Sequence, residues 1–204
     1  MAVSRPARLV GQGWGLTETT VGATMPDRER GTVPGSVGRL MPNTELRVVA
    51  GELWVRGPQV MAGYLDRPEA TAEILDGDGW LHTGDLGHVD ADGNVFVVDR
   101  IKELIKVSGY QVPPAELEAL LAEHPAVADA AVIGYPDERR GEVPVAVVVA
   151  ADALDEAALI DWAAQRSAPY KRLHAVRFAD AIPRTPSGKL LRRVLAEREP
   201  AMVG

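Results

Sequence analysis

The sequence has 204 residues, a formal net charge of −7, 46% apolar residues and 25% charged residues. This balance is typical of one or two soluble globular domains and excludes disordered, collagen-like and coiled-coil chains. The negative charge makes nucleic acid and anionic membranes poor partners, although local charges can still hold a small anionic ligand. The absence of cysteine excludes disulfides, thiolate metal sites and cysteine nucleophiles. No apolar run has the length of a membrane helix or secretory leader, so we expect a cytoplasmic protein.

Alternating apolar and polar residues predict two β-hairpins in the first half of the chain. One covers residues 46–55 with a turn at Ala50-Gly51, and the other surrounds Asp92-Gly93, a favoured hairpin pair. The Gly- and Thr-rich first 40 residues show little periodicity.

The second half combines helical and strand patterns. Pro113-Pro114 can open a helix that stops at His124-Pro125, and Asp155 can cap a second helix. The apolar, β-branched runs 130–135 and 143–149 are typical of buried strands. A short strand near residues 175–178 and a final helix through Glu197 follow.

The change of pattern at Asp99-Arg100-Ile101-Lys102 indicates a boundary between two units. We therefore predict an α+β protein in which residues 1–99 form one unit and residues 100–204 form a small, mixed α+β domain.

Four polar segments contain the residue types that nucleotide chemistry requires. Separately, each is typical of ordinary turns, strand ends and solvated charged edges. Together they offer an aromatic ring for a base, carboxylates that suit Mg²⁺ or a ribose diol, and several lysines. The segments are Gly13–Glu18, Gly79–Asp85, Asp99–Gln111 and Pro183–Lys189.

The order and spacing of six short motifs resemble the adenylate-forming superfamily, most closely acyl- and aryl-CoA ligases of the 4-coumarate–CoA ligase and firefly luciferase type. The resemblance runs from about Gly11 to Arg193. The motifs are Trp-Gly-Leu-Thr-Glu (14–18), Gly-Glu-Leu-Trp-Val-Arg-Gly (51–57), Thr-Gly-Asp (83–85), Asp-Arg-Ile-Lys-Glu-Leu-Ile-Lys (99–106), Gly-Tyr-Gln-Val (109–112) and Thr-Pro-Ser-Gly-Lys (185–189).

This resemblance implies a division of the chain into two parts of a larger enzyme. Residues 1–99 correspond to the end of the large N-terminal AMP-binding domain, with the adenine turn and a β-barrel-like subdomain. Residues 100–204 correspond to the C-terminal lid domain, with a hinge at Lys102. The implied reaction converts a carboxylic acid and ATP to an acyl-adenylate and pyrophosphate, and then, with coenzyme A, to acyl-CoA and AMP. Mg²⁺ is the implied metal.

The resemblance also implies nucleotide-binding roles in the first unit. Trp14 occupies the position where the family usually has a tyrosine near adenine. Thr17 matches the residue that contacts the α-phosphate, and Glu18 matches the Mg²⁺ ligand. Asp85 matches the ribose-binding carboxylate, and Arg100 matches a second ribose contact.

The implied roles in the second unit divide between two half-reactions. Lys189 matches the lysine that bridges the substrate carboxylate and the α-phosphate while the adenylate forms. Lys106, Gly109 and Gln111 match the loop that enters the site for the thiol step. Rotation of the lid about Lys102 would exchange these groups.

The family's upstream phosphate loop and acid pocket have no counterpart in this sequence. We therefore expect a truncated ligase that does not complete the reaction alone, and we expect residues 1–40 to pack poorly. The alternatives are a non-catalytic module that binds a nucleotide or a partner, half of a split ligase completed by a separate N-terminal chain, and part of a peptide-synthetase adenylation domain. Lys102 and the Gly-Tyr-Gln-Val motif favour a CoA ligase over the last of these.

Overall fold

The computed structural model describes residues 10–186 and 188–198. The chain divides between Ile101 and Lys102 into two units, beside the change of pattern seen in the sequence. Each unit has its own hydrophobic core and combines sheets with a few helices. The α+β fold class is confirmed.

The first unit is built on antiparallel strands, and both predicted hairpins are present. The bounds are β1 (Thr24–Met25), β2 (Arg39–Leu40), β3 (Glu45–Val49), β4 (Glu52–Arg56), α1 (Pro68–Ile74), β5 (Leu81–Val89) and β6 (Val95–Arg100). The four longer strands form one sheet in the order β3-β4-β5-β6, and the two short strands pair separately. A 3-10 turn at Thr17–Thr19 precedes them, and the α-helix that follows β4 was not predicted.

The core of this unit includes part of the glycine-rich N-terminal stretch. Trp14 and Ala23 are buried in one cluster with Leu53 and Val55, the inward-facing residues of β4. The expectation of poor packing over residues 1–40 is therefore wrong for this part, although Val10 and Val21 remain 85% exposed. Residues 1–9 lie outside the described ranges.

The second unit is a five-stranded sheet centred on one long strand. The bounds are β7 (Ile105–Val107), β8 (Tyr110–Val112), α2 (Pro114–Ala122), β9 (Val127–Asp137), β10 (Gly141–Ala150), α3 (Glu156–Ala164), β11 (Ala175–Phe178) and α4 (Arg192–Arg198). The central strand, β10, pairs antiparallel with β9 along its whole length and parallel with β11, and it meets β7 at a single pair, Gly141 with Val107.

Local sequence signals explain several of these elements. Pro114 begins α2, where a missing N–H costs nothing, and the Asp155 carboxylate caps α3 by accepting the Ala158 N–H at 3.0 Å. The predictions for α2, α3, α4 and the strands β9 to β11 are confirmed. The short hairpin β7–β8 was not predicted, because each of its strands is only 3 residues long and the alternation of Ile105, Lys106 and Val107 is too brief to stand out.

The long apolar run of β10 is explained by burial on both faces of the sheet. On one face, Val148 packs with Leu121 of α2 and Leu159 of α3. On the other face, Val145 and Val147 pack with a second cluster that includes Leu195 of α4. None of the helices in the described ranges has the length and apolar character needed to cross a membrane.

Leu121 offers a test of this core. Leu121→Ala removes a fully buried side chain, and we expect it to lower the free energy of unfolding by about 2–5 kcal/mol. Leu120→Ala is the matched control, since Leu120 lies on the same helix and is only half-buried. Urea denaturation followed by circular dichroism measures both. Equal losses for the two variants would contradict the assignment of Leu121 to the core.

Candidate active site

The carboxylate of Asp85 is the best-held acidic group among the predicted site residues. Its side chain is 4% exposed, and its two oxygens face different partners. The indole Nε1 of Trp14 donates a hydrogen bond to Oδ2 at 2.8 Å, and Nε of Arg100 lies 2.8 Å from Oδ1. A charge this deeply buried requires such partners, because desolvation otherwise disfavours it.

The sheet brings Asp85 and Arg100 together because they are direct partners across β5 and β6. The Thr-Gly-Asp motif sets the path of the chain at this point. The Thr83 hydroxyl donates to the backbone oxygen of Leu53 at 2.6 Å and accepts the Asp85 N–H at 3.1 Å. Gly84 has a φ of +69°, a left-handed conformation that favours glycine.

One oxygen of this carboxylate, Oδ1, is buried and is paired by charge rather than by an aligned hydrogen bond. Although Arg100 Nε lies close to Asp85 Oδ1, no donor within the described ranges is aligned on that atom as a hydrogen bond. A buried acceptor of this kind fits a hydroxyl group, and the second ribose contact predicted for Arg100 lies beside it. The site therefore has the chemistry to bind a ribose diol.

Trp14 has a structural role that the sequence did not reveal. Its ring is 8% exposed and packs in the core, and its backbone N–H donates to the Thr24 hydroxyl at 2.9 Å. The contact with Asp85 spans 71 positions in the sequence, so no local pattern could indicate it. The predicted placement near adenine stays a prediction.

Thr17 and Glu18 lie on a turn that is fixed by the residues around it. The buried Thr19 hydroxyl accepts the Leu16 N–H at 2.8 Å and donates to the Leu16 oxygen at 3.0 Å. The Thr17 side chain is exposed, and Glu18 is half-buried. The turn therefore presents a hydroxyl and a carboxylate from a rigid backbone.

Tyr64 is a neighbour of Glu18 that sequence reasoning missed. Its hydroxyl donates to Glu18 Oε1 at 2.5 Å, and the Met61 N–H donates to the Glu18 backbone oxygen at 2.8 Å. The hydrogen bond to the Glu18 carboxylate, together with partial burial, raises the pKa of Tyr64. The hydrogen bonds from Tyr64 and Met61, which are distant in the sequence, therefore hold Glu18 in one orientation.

In the second unit, Lys106 and Gln111 lie directly opposite each other on β7 and β8. Both side chains are exposed, whereas Ile105 and Val112 point into the core. Gly109 forms the turn with a φ of +85°, and a Cβ there would meet no atom within 4 Å. Glycine is therefore favoured at this position by the backbone conformation and not by lack of space.

The predicted catalytic Lys189 is exposed on a tightly closed loop. The Thr185 N–H donates to the Lys189 oxygen at 2.8 Å, and the Thr185 hydroxyl accepts the Lys189 N–H at 3.0 Å. Arg184 holds the base of the loop through an ion pair with Asp129 at 2.8 Å. Ser187 of the Thr-Pro-Ser-Gly-Lys motif lies outside the described residues.

The predicted hinge residue, Lys102, is also exposed and lies in a short 3-10 turn, Ile101–Glu103.

Comparison with known protein families finds a match in each half of the chain. Residues 2–65 match the family model of AMP-binding enzymes, and residues 116–189 match that of the AMP-binding enzyme C-terminal domain. The chain belongs to the adenylate-forming superfamily. The resemblance seen in the motifs is therefore confirmed.

Individual members of the superfamily cover nearly all of this chain. The chain is 50% identical to 4-coumarate–CoA ligase 2 of Oryza sativa subsp. japonica over an alignment of 208 positions, which covers 93% of this chain and 37% of that protein. It spans well under half the length of the curated relatives that it matches.

Solved structures of the superfamily have the same fold. ATP-bound MatB from Rhodopseudomonas palustris aligns with a TM-score of 0.84 and 34% identity, over 91% of this chain and 40% of that one. MenE, the o-succinylbenzoate CoA synthetase from Bacillus subtilis in complex with its acyl-adenylate intermediate, aligns with a TM-score of 0.78 and 36% identity, over 90% and 40% of the two chains.

The tether between Trp14 and Asp85 can be tested by removing one donor. Trp14→Phe keeps an aromatic ring but leaves Asp85 Oδ2 without its indole partner, and we expect a loss of about 1–3 kcal/mol in unfolding free energy. Trp54→Phe is the matched control, because Trp54 Nε1 also donates to a carboxylate, that of Glu52, at a half-buried position. Urea denaturation should show a smaller loss for the control, and a loss as large as that of Trp14→Phe would argue against a special role for the buried pair.

Proposed function

We propose that this chain provides part of the nucleotide site and the lid of an ATP-dependent acid–CoA ligase. The observation that carries the proposal is the buried Asp85 carboxylate, which Trp14 and Arg100 flank and whose Oδ1 accepts no aligned hydrogen bond within the described ranges. The similarity to named CoA ligases over nearly the whole chain supports the same reaction.

The first unit would bind the nucleotide through fixed groups. Asp85 accepts hydrogen bonds from the ribose hydroxyls, and Arg100 supplies a second contact to the sugar. Trp14 lies near adenine, and the exposed Thr17 hydroxyl donates to an oxygen of the α-phosphate. Because these groups are fixed before the nucleotide arrives, little reorganisation accompanies binding.

Glu18 is the residue that would hold Mg²⁺. The described residues contain no cluster of three His, Asp or Glu side chains, which fits Mg²⁺, since this ion commonly takes one or two carboxylates and completes its shell with phosphate oxygens and water. Bound Mg²⁺ would supply positive charge next to the phosphates. Tyr64 orients the Glu18 carboxylate for this role by occupying one of its oxygens.

Lys189 would serve the first half-reaction. An oxygen of the substrate carboxylate attacks the α-phosphorus, the bond to pyrophosphate breaks, and negative charge accumulates on the phosphoryl oxygens. The Lys189 ammonium group stabilises this charge most strongly in a site from which water is excluded. Its exposure on a closed loop leaves the ammonium free of any packed interior.

Lys106, Gly109 and Gln111 would serve the second half-reaction. The thiol sulfur of coenzyme A attacks the acyl carbonyl, AMP leaves with the electron pair, and the thiol proton is released. The Lys106–Gln111 hairpin would enter the site after a rotation at Lys102 has withdrawn Lys189. The thiol and the ammonium group would otherwise compete for the same space beside the carbonyl.

The proposal also covers the organisation of the whole enzyme. Residues 1–99 would form the end of the AMP-binding domain and residues 100–204 the lid, in a cytoplasmic protein. The acid pocket and the grip on the triphosphate would come from an upstream AMP-binding region, on the same polypeptide or on a separate N-terminal chain. The substrate would be a carboxylic acid, as a small molecule and not a protein or nucleic acid.

The reaction can be tested by joining the chain to the upstream region of a 4-coumarate–CoA ligase. We expect ATP–pyrophosphate exchange that depends on an added carboxylic acid, because exchange requires reversible adenylate formation. Asp85→Asn should raise the KM for ATP, since the amide presents one acceptor where the carboxylate presents two. Exchange that is absent with a panel of aryl and acyl acids, while the parent ligase is active, would refute the proposal.

The division of labour between the two lysines gives a reciprocal prediction. Lys189→Ala should slow adenylation by roughly 10²–10³-fold, the usual cost of removing one charge-stabilising donor, and should leave thiolysis of a supplied acyl-adenylate unchanged. Lys106→Ala should slow thiolysis and spare adenylation. Each variant is the control for the other in single-turnover assays, and loss of both steps in both variants would contradict the divided roles.

A further inference from the structure

The guanidinium group of Arg192 joins three segments of the second unit. Its Nη1 donates to Oε2 of Glu103 at 2.6 Å, and its Nη2 donates to both carboxylate oxygens of Glu118 at 2.8 Å. Glu118 Oε1 also accepts the Val132 N–H at 2.9 Å. The side chains of the arginine and the two glutamates are only 18–25% exposed. A planar guanidinium group can donate to two carboxylates at once, so the network of Arg192, Glu103 and Glu118 forms a rigid joint, unlike a loose ion pair at the surface.

The joint connects the two segments that matter most for the lid. Glu103 directly follows the predicted hinge residue Lys102, and Arg192 lies three positions after Lys189. The loop that carries Lys189 has little slack, because the Leu191 N–H donates to the Pro183 oxygen at 3.0 Å and closes its base. The position of Lys189 is therefore tied, through Arg192, to the segment after the hinge.

The neighbouring arginine has a different environment. The Arg193 side chain is 90% exposed and contacts Glu197, one helical turn away, at 3.0 Å. Such an exposed pair contributes little to stability. Of the two adjacent arginines, one therefore joins separate segments and the other is an ordinary surface charge.

We propose that Arg192 is a positioning residue that couples the Lys189 loop to the segment after the hinge. The loop and Glu103 then move as one body, and a rotation at Lys102 sets the orientation in which the Lys189 ammonium group is delivered. The catalytic part of this inference rests on the proposed function, whereas the coupling itself concerns the second unit alone.

The coupling is tested by amide hydrogen exchange on the 204-residue chain. Arg192→Lys keeps the charge but cannot bridge both carboxylates, because an ammonium group is a single point. We expect the amides of Gly188, Lys189 and Leu191 to exchange roughly tenfold faster, as for the loss of about one charge-assisted hydrogen bond. The amides of the β9–β10 ladder should not change. Arg193→Lys is the matched control and should leave both regions as in the parent chain.

Loop protection in Arg192→Lys equal to that in Arg193→Lys would overturn the coupling. If Arg192→Lys fails to fold, which would show as lost protection of the β9–β10 ladder, Glu103→Gln replaces it. This change weakens the bond between Arg192 and Glu103 and leaves the bonds between Arg192 and Glu118 intact. It should accelerate exchange of the same loop amides by a smaller factor, and no acceleration would refute the proposal.

The catalytic consequence is tested in the chain joined to an upstream AMP-binding region. Arg192→Lys should lower kcat for adenylation roughly tenfold, as estimated from the same lost hydrogen bond, while the KM for ATP and the thiolysis rate stay unchanged. A merely destabilising change would lower both half-reactions. If the parent fusion protein forms the adenylate and Arg192→Lys behaves like Arg193→Lys, the positioning role is wrong. If the parent forms no adenylate, the proposed function fails, and the exchange experiment still decides the coupling.

Discussion

The burial of one carboxylate constrains the first unit. Asp85 is 4% exposed, and an ionised group at such a site is tolerated only when charged or polar partners compensate for the lost water. Trp14 and Arg100 supply that compensation from two distant parts of the sequence. Their positions in turn depend on the core packing of the indole ring and on the register of β5 with β6. The hydrophobic packing of Trp14 is therefore also needed to hold the polar partner of Asp85 in place.

In the second unit, by contrast, the predicted functional groups are exposed and not buried. Lys102, Lys106, Gln111 and Lys189 are all exposed, and their backbones are fixed while their side chains reach solvent. A β-turn with glycine at positive φ holds the first functional loop, and a hydrogen-bonded loop closed at its base holds the second. Lysine suits this arrangement, because a flexible stem with a compact charge loses little by staying in water until an anion is presented.

Sequence reasoning succeeded where a signal is local. The turns at Ala50-Gly51 and Asp92-Gly93, the cap at Asp155 and the buried run of β10 each follow from neighbouring residues, and the structure has all of them. It failed for β7–β8, whose strands are only 3 residues long and so carry too short a pattern. It also missed the partners of the site residues. Tyr64 reaches Glu18 across 46 positions, Trp14 reaches Asp85 across 71, and Arg192 reaches Glu103 across 89. Contacts at such separations are created by the fold and have no pattern in the chain.

The contrast between Arg100 and Arg192 shows how the chain uses one kind of side chain for two purposes. Arg100 places a single nitrogen beside Asp85 and leaves Oδ1 without an aligned hydrogen bond, so the carboxylate is neutralised but not saturated. In Arg192 it is the guanidinium group that is saturated, with both terminal nitrogens donating to carboxylates. An unsaturated pair leaves an acceptor that a ligand could complete, whereas a densely bonded one removes freedom from the chain. The proposed roles of Arg100 in recognition and of Arg192 in coupling rest on this difference, which follows from geometry that the residue types alone do not contain.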